Sequence, residues 1–125
     1  MARLRLDGTL VIDFEFDAGN NALHLYSTVA PARHDCEAQL RLLMEANLFL
    51  DRSVGTTFAL DSLTGEFICC VRLEPEKLRG EDLVGQVERM ADAVERLRAD
   101  LAALEAGGPA AALDTDQLRK GVLRG

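Results

Sequence analysis

The chain has no tryptophan, one tyrosine and five phenylalanines in 125 residues. The aromatic platforms on which nucleobases or sugars stack are therefore missing. No stretch approaches the ~18 consecutive apolar residues of a membrane-spanning helix. The opening residues, Met1 to Gly8, lack the long apolar core of a secretory signal. The expected compartment is the cytoplasm, with no membrane partner. Cysteine is scarce too: Cys36 stands alone, and Cys69 and Cys70 are adjacent. Neighbouring Cα atoms lie ~3.8 Å apart, too close for a relaxed disulfide, so reduced thiols used as small core residues are expected.

Basic residues are outnumbered, 14 Lys and Arg against 21 Asp and Glu, giving a formal charge of −7. The segment after Ala106 sums to +1, so residues 1–106 carry −8. An acidic body repels phosphate, which argues against nucleic acid and suits basic partners instead. His24 and His34 have no cysteine or carboxylate at ligand spacing, so no metal site is expected. There is no Gly-rich phosphate loop, nucleophile elbow or zinc-helix motif. Asp13 and Glu15 share a strand face, but a solvated face paired with Arg3 explains them better than acid–base chemistry. A thiol enzyme would need a reactive thiolate at Cys69 or Cys70. The expectation is no enzyme and no cofactor.

What is present is periodicity. Leu10, Ile12, Phe14 and Phe16 alternate with Val11, Asp13 and Glu15, the mark of a half-buried strand. Leu23, Leu25 and Val29 alternate with His24, Tyr26 and Thr28 in the same way, and Leu4 and Leu6 with Arg3 and Arg5. Asp7-Gly8 and residues 17–21 supply turn chemistry. A three-residue loop with Gly8 left-handed would set Leu4 opposite Leu10. Residues 36–50 read as a helix with Asp35 as N-cap. Leu40, Leu43, Met44 and Asn47 form its main stripe, while Leu42, Ala46 and Phe49 widen the apolar arc beyond one face. Residues 56–60 and 66–73 form a hairpin around Ser62 to Gly65, with Phe58, Leu60, Phe67, Cys69 and Val71 on one face and Ala59, Ile68 and Cys70 on the other. From Glu81 to Leu104 the residues Leu83, Val87, Met90, Val94, Leu97, Leu101 and Leu104 recur at steps of four and three. That seam predicts an amphipathic helix lying across a sheet.

The expected fold is α+β: a twisted antiparallel sheet, built from a three-strand meander plus a hairpin, packed with two helices. One domain spans 1–106, and Gly107-Gly108-Pro109 opens a flexible tail over 107–125. One long helix covers one side of the sheet, so the second apolar face calls for a homodimer. Leu42, Ala46, Phe49, Ala59, Ile68 and Cys70 are its candidate interface.

The stretch Leu42-Leu43-Met44-Glu45-Ala46-Asn47-Leu48-Phe49 resembles the "leucine pair, then Ala-Asn-Leu" helix end of the class I type III secretion chaperones, the Tir chaperone family. The Gly55 link, Phe58-Ala59-Leu60-Asp61, Thr64-Gly65 and the polar link from Leu73 to Leu83 resemble the strand–turn–strand and long helix that follow. The similarity covers about 4–104. It implies a cytosolic chaperone that binds an effector's N-terminal segment in extended form, by strand addition and pocket filling. Leu4, Leu6, Val11 and Tyr26 are then the candidate effector-binding residues. Members of the family usually open with an amphipathic helix before the first strand; this chain starts almost inside that strand, so either the start is truncated or this member lacks the helix. The alternative is a dimeric regulatory module of YbjN-like type on the same fold, not tied to secretion.

Overall fold

A computed structural model describes residues 1–48 and 55–107. Alternating apolar residues and short polar turns build five strands: β1 (Ala2–Arg5), β2 (Val11–Asp17), β3 (Ala22–Pro31), β4 (Thr57–Asp61) and β5 (Glu66–Leu73). Helix α1 (Glu37–Asn47) precedes β4, and helix α2 (Gly80–Glu105) follows β5 after a 3₁₀ turn at Pro75–Lys77. The strands form one antiparallel sheet in the order β1-β2-β3-β5-β4. This is the expected α+β architecture. Phe49 and the tail beyond Gly107 lie outside the described residues.

Both helices pack on one face of the sheet. Its inward residues, Leu10, Ile12, Leu25, Val29, Phe58, Phe67 and Cys69, form a single core with Met90, Ala93, Val94, Leu97 and Leu101 of α2 and Leu43 and Ala46 of α1. The seam anticipated along α2 is therefore its sheet-facing stripe. The helix starts where the Asp82 carboxylate accepts the Arg79 N–H at 3.1 Å. It stops at Gly107, whose positive φ of 67° suits a residue without Cβ.

Two local expectations need correction. Leu4 pairs with Ile12, not Leu10, and Gly8 does not adopt a left-handed φ. The turn is built by Asp7 instead, whose Oδ1 accepts the backbone N–H groups of Thr9 and Leu10, each at 2.9 Å. Those bonds hold the Asp7 carboxyl below its ordinary pKa. A shift of two residues preserves side-chain parity, so the apolar face stays continuous. The N-cap of α1 is Cys36 rather than Asp35, with no side-chain cap bond.

A bulge interrupts β3 between Thr28 and Ala30. A bulged residue loses its ladder partner, and here α2 supplies one. Arg98 donates from Nε to the Val29 carbonyl at 2.8 Å, and from a terminal nitrogen to the carbonyls of Thr28 and Thr9, each at 3.0 Å. This clasp ties the C-terminal half of α2 to the β1–β2 turn. At the other end, Asn21 donates to Glu76 at 2.8 Å and holds the 3₁₀ turn against the β2–β3 turn. Helix α2 thus runs over β3, with the 3₁₀ turn before it tied to the β2–β3 turn.

Candidate partner-binding surfaces

Three surfaces carry apolar residues that the protomer leaves in water. The first is the outward side of α1. Met44 is 74% exposed and Leu48 52%, and with Leu40 they line a shallow groove flanked by Glu37, Arg41 and Glu45. The second is the sheet face away from the helices. Register places Val11, Tyr26, Ala59, Ile68 and Cys70 there, beside Asp13, Glu15, His24 and Arg72. Asp13 pairs with Arg3 at 2.7 Å, as its place on a solvated face suggests. The third is the inner face over β1 and β2, where Leu4, Leu6 and Phe16 stay exposed.

The sheet has two edges, and they differ. On β4, the Asn47 side chain of α1 imitates a neighbouring strand: its Oδ1 accepts the Phe58 N–H and its Nδ2 donates to the Phe58 carbonyl, both at 2.9 Å. That pair satisfies groups an added strand would need. On β1, all four residues are exposed.

The thiols do not form a reactive centre. Cys69 is fully buried and donates to the Thr56 hydroxyl at 3.2 Å; burial pushes its pKa up to about 11. Burial also raises Cys70. Both groups are held in the poorly nucleophilic neutral form. Among the described residues, no cluster of three or more His, Cys, Asp or Glu could hold a metal ion. None of their helices is long and apolar enough to cross a membrane.

The model of the Tir chaperone protein (CesT) family matches residues 6–98. The chain belongs to the Tir chaperone family. Three solved structures share the architecture at 13–21% identity. The structure of the HopA1–SchA chaperone–effector complex superposes with a TM-score of 0.64 at 21% identity, covering 78% of this chain and 73% of that one. The ExoU–SpcU complex from the type III secretion system of Pseudomonas aeruginosa gives 0.64 at 13% identity, covering 78% and 79%. The Yersinia pestis type III secretion chaperone SycH, in complex with a fragment of YscM2, gives 0.60 at 18% identity, covering 76% and 77%. No protein of curated function matches the sequence.

Within this Tir chaperone family member, the candidate residues do not form the groups expected of them. Leu4 and Leu6 lie on the helix side of the sheet, Val11 and Tyr26 on the opposite side. The candidate dimer residues are likewise divided. Ala59, Ile68 and Cys70 sit on the outer face, whereas α1 lies on the inner one. Ala46 is 2% exposed and belongs to the protomer's own core, so it is no surface residue; Leu42 is half-buried against that core. A methyl side chain lets α1 approach the sheet closely, which turns Met44 and Leu48 outward. Met44, Leu48, Phe16 and Val84 are among the exposed apolar residues that the sequence does not single out as site candidates. Alternation puts Phe16 on the apolar face of its strand, yet it is 56% exposed. Nothing in that pattern says how far across the sheet two helices reach.

Proposed function

We propose that this chain binds the N-terminal segment of a type III effector in extended form and keeps it soluble and competent for secretion, acting in the cytoplasm as a homodimer. The observation that carries this reading is β1. It is an exposed edge strand with Leu4 on its helix-side face and the exposed Leu6 just beyond its end, while the opposite edge is capped by Asn47. An extended peptide added to β1 gains backbone hydrogen bonds along its length and lays alternate side chains beside Leu4 and Leu6. The body's charge of −8 favours a basic segment. Family membership favours secretion over a YbjN-like regulatory role.

Homodimerisation rests on Met44 and Leu48, large apolar residues on one helix that a second copy would cover by two-fold symmetry. The outer-face residues Ala59, Ile68 and Cys70 join that interface only if it wraps around the β4 edge.

The test is co-purification of the tagged chain from its host cytosol, followed by mass spectrometry and hydrogen exchange on the complex. Expected is an effector captured through its N-terminal segment, with slowed exchange at residues 2–5. Capture without protection of β1 would remove strand addition there; no capture would remove the chaperone reading.

A further inference from the structure

Two registers of the β1–β2 hairpin keep every side chain on its proper face. In the observed one Leu4 faces Ile12, and the Leu6 N–H donates to the Leu10 carbonyl at 2.9 Å, closing a loop of Asp7, Gly8 and Thr9. Sliding β1 by two residues, ~6.8 Å along β2, would set Leu4 opposite Leu10 and close the loop with Arg5 donating to Thr9.

Little within the hairpin opposes that slip. Among the described residues β1 has β2 as its one neighbour in the sheet. Its ion pair, Arg3 with Asp13, is solvated, the arginine side chain being 61% exposed. The Tyr26 hydroxyl reaches only the Met1 sulfur, a weak acceptor, at 3.2 Å. The Asp7 bonds to Thr9 and Leu10 shape the loop but lie inside the hairpin and anchor it to nothing else.

Arg98 is the anchor from outside. Its Nη2 donates to the carbonyls of Thr9 and Thr28, each at 3.0 Å. Its Nη1 reaches the Thr9 hydroxyl at 3.4 Å, and its Nε donates to the Val29 carbonyl at 2.8 Å. Thr28 and Val29 sit at the bulge of β3, a central strand. The rigid guanidinium fork therefore measures the loop against a fixed point of the sheet. The atom it holds decides the register, because the Thr9 carbonyl is the acceptor that the slipped hairpin needs for Arg5.

We propose that Arg98 is a positioning residue for strand acceptance: it locks β1 in the Leu4–Ile12 register and so sets which backbone groups the open edge presents. The proposal rests on the chaperone reading and deepens it. Pairs alternate along an antiparallel ladder, and Leu6–Leu10 is hydrogen-bonded, so Arg3 and Arg5 turn their N–H and C=O groups outward to an added strand. The slip turns those groups inward, presents Ala2 and Leu4 instead, and draws Leu6 into the loop. A chain aligned to one register then offers its apolar residues to the wrong face in the other.

NMR reads the register directly. Non-hydrogen-bonded pairs bring their Hα atoms together, so wild type should give an Arg3–Asp13 Hα–Hα cross-peak and none between Leu4 and Leu10. In Arg98→Ala the Leu4–Leu10 cross-peak should largely replace it. Arg98→Lys, with one nitrogen for three carbonyls, should show both, and it carries the test should the alanine variant not fold. The binding probe is a short fluorescent peptide of alternating valine and lysine, with a fully N-methylated version that cannot donate to an edge. Anisotropy should show wild type binding the first alone. Arg98→Ala should bind it at least ~fivefold weaker, as a competent register held by under ~one-fifth of the molecules requires. Met90→Ala removes core volume from the same helix but no bond to the hairpin, so it should lower the melting midpoint yet keep register and affinity.

An unshifted register in both Arg98 variants would overturn the proposal. So would a slipped hairpin that binds like wild type, or a Met90→Ala loss of affinity equal to that of Arg98→Ala. Wild-type binding to neither peptide, or to both equally, removes the strand-addition reading itself, whereas an unshifted register beside intact wild-type binding removes the role of Arg98 alone.

Discussion

Asn47 offers a direct test of how the β4 edge is closed. Its carboxamide meets Phe58 with an acceptor against the N–H and a donor against the carbonyl, each at 2.9 Å. Asn47→Ala removes both bonds, and at a net ~0.5–1.5 kcal/mol each the loss should be about 1–3 kcal/mol. Asn47→Asp keeps the shape and discriminates further. One oxygen of the new carboxylate still accepts from Phe58 N–H, but the other faces the Phe58 carbonyl, and the charge sits at the C-terminal end of α1, where the helix dipole disfavours it. Both effects raise the folded-state pKa of the new group above the ordinary ~4. The neutral form regains a donor. The deficit relative to wild type is therefore full above the folded pKa and shrinks as pH falls through it. Urea unfolding of the three proteins at pH 7 and pH 4.5, at one fixed protein concentration, measures this; the concentration must be held because a dimer's midpoint depends on it. A cost below ~0.5 kcal/mol for Asn47→Ala, or a pH-independent deficit for Asn47→Asp, would refute the strand-mimic account.

Val94 is fully buried against the sheet while Arg96 is exposed; Val94→Asp should cost several kcal/mol and Arg96→Asp well under ~1 kcal/mol in denaturant titrations, and equal costs would mean the helix face is misassigned. Arg98→Lys keeps the charge but cannot reach the Val29, Thr28 and Thr9 carbonyls together, so thermal melts should show a loss of ~1–3 kcal/mol; an unchanged midpoint would make the clasp incidental. Cys69 should react with a disulfide reagent at pH 8 more than ~100-fold slower than an exposed thiol, and faster labelling would contradict its burial. Sedimentation at micromolar concentration should give about twice the 13.6 kDa chain mass, and Met44→Arg should shift it toward monomer. If Ile68→Arg alone does so, the outer sheet face is the interface instead.

How much of this was readable beforehand depended on whether one periodicity decided the matter. Strands of period two and the seam of α2 placed the strands and the long helix, because parity and heptad spacing record which side meets the core. Parity cannot record register, so the Leu4–Ile12 pairing escaped: Asp7 closes the turn through its carboxylate, and a two-residue slip leaves every side chain on its proper face. Helix α1 was harder still. Apolar residues surround it, so hydrophobicity alone could not choose between the Met44 side and the Ala46 side; the small size of Ala46 was the physical clue. The exposure of Phe16 depends on how far two helices extend across five strands, which no local pattern encodes. Asn47 stood within a stretch noted for resemblance, yet its bond to a strand edge is a tertiary fact.

The pairing of β3 with β5 has a consequence for how the chain reaches this state. Pro31 meets Glu66 and Leu23 meets Leu73, so the centre of the sheet joins a meander and a hairpin that each form from nearby residues, across an intervening helix. Local pieces assemble quickly, whereas closing so long a loop sets the pace. During synthesis at ~5–20 residues per second, β3 leaves the ribosome several seconds before β5 can follow. In that interval its free edge and the apolar side chains of Leu25 and Val29 are open to any passing strand. A protein proposed to accept extended chains thus spends its own first seconds as one, and variants that slow β3–β5 closure should lower soluble yield even where the finished fold is no less stable.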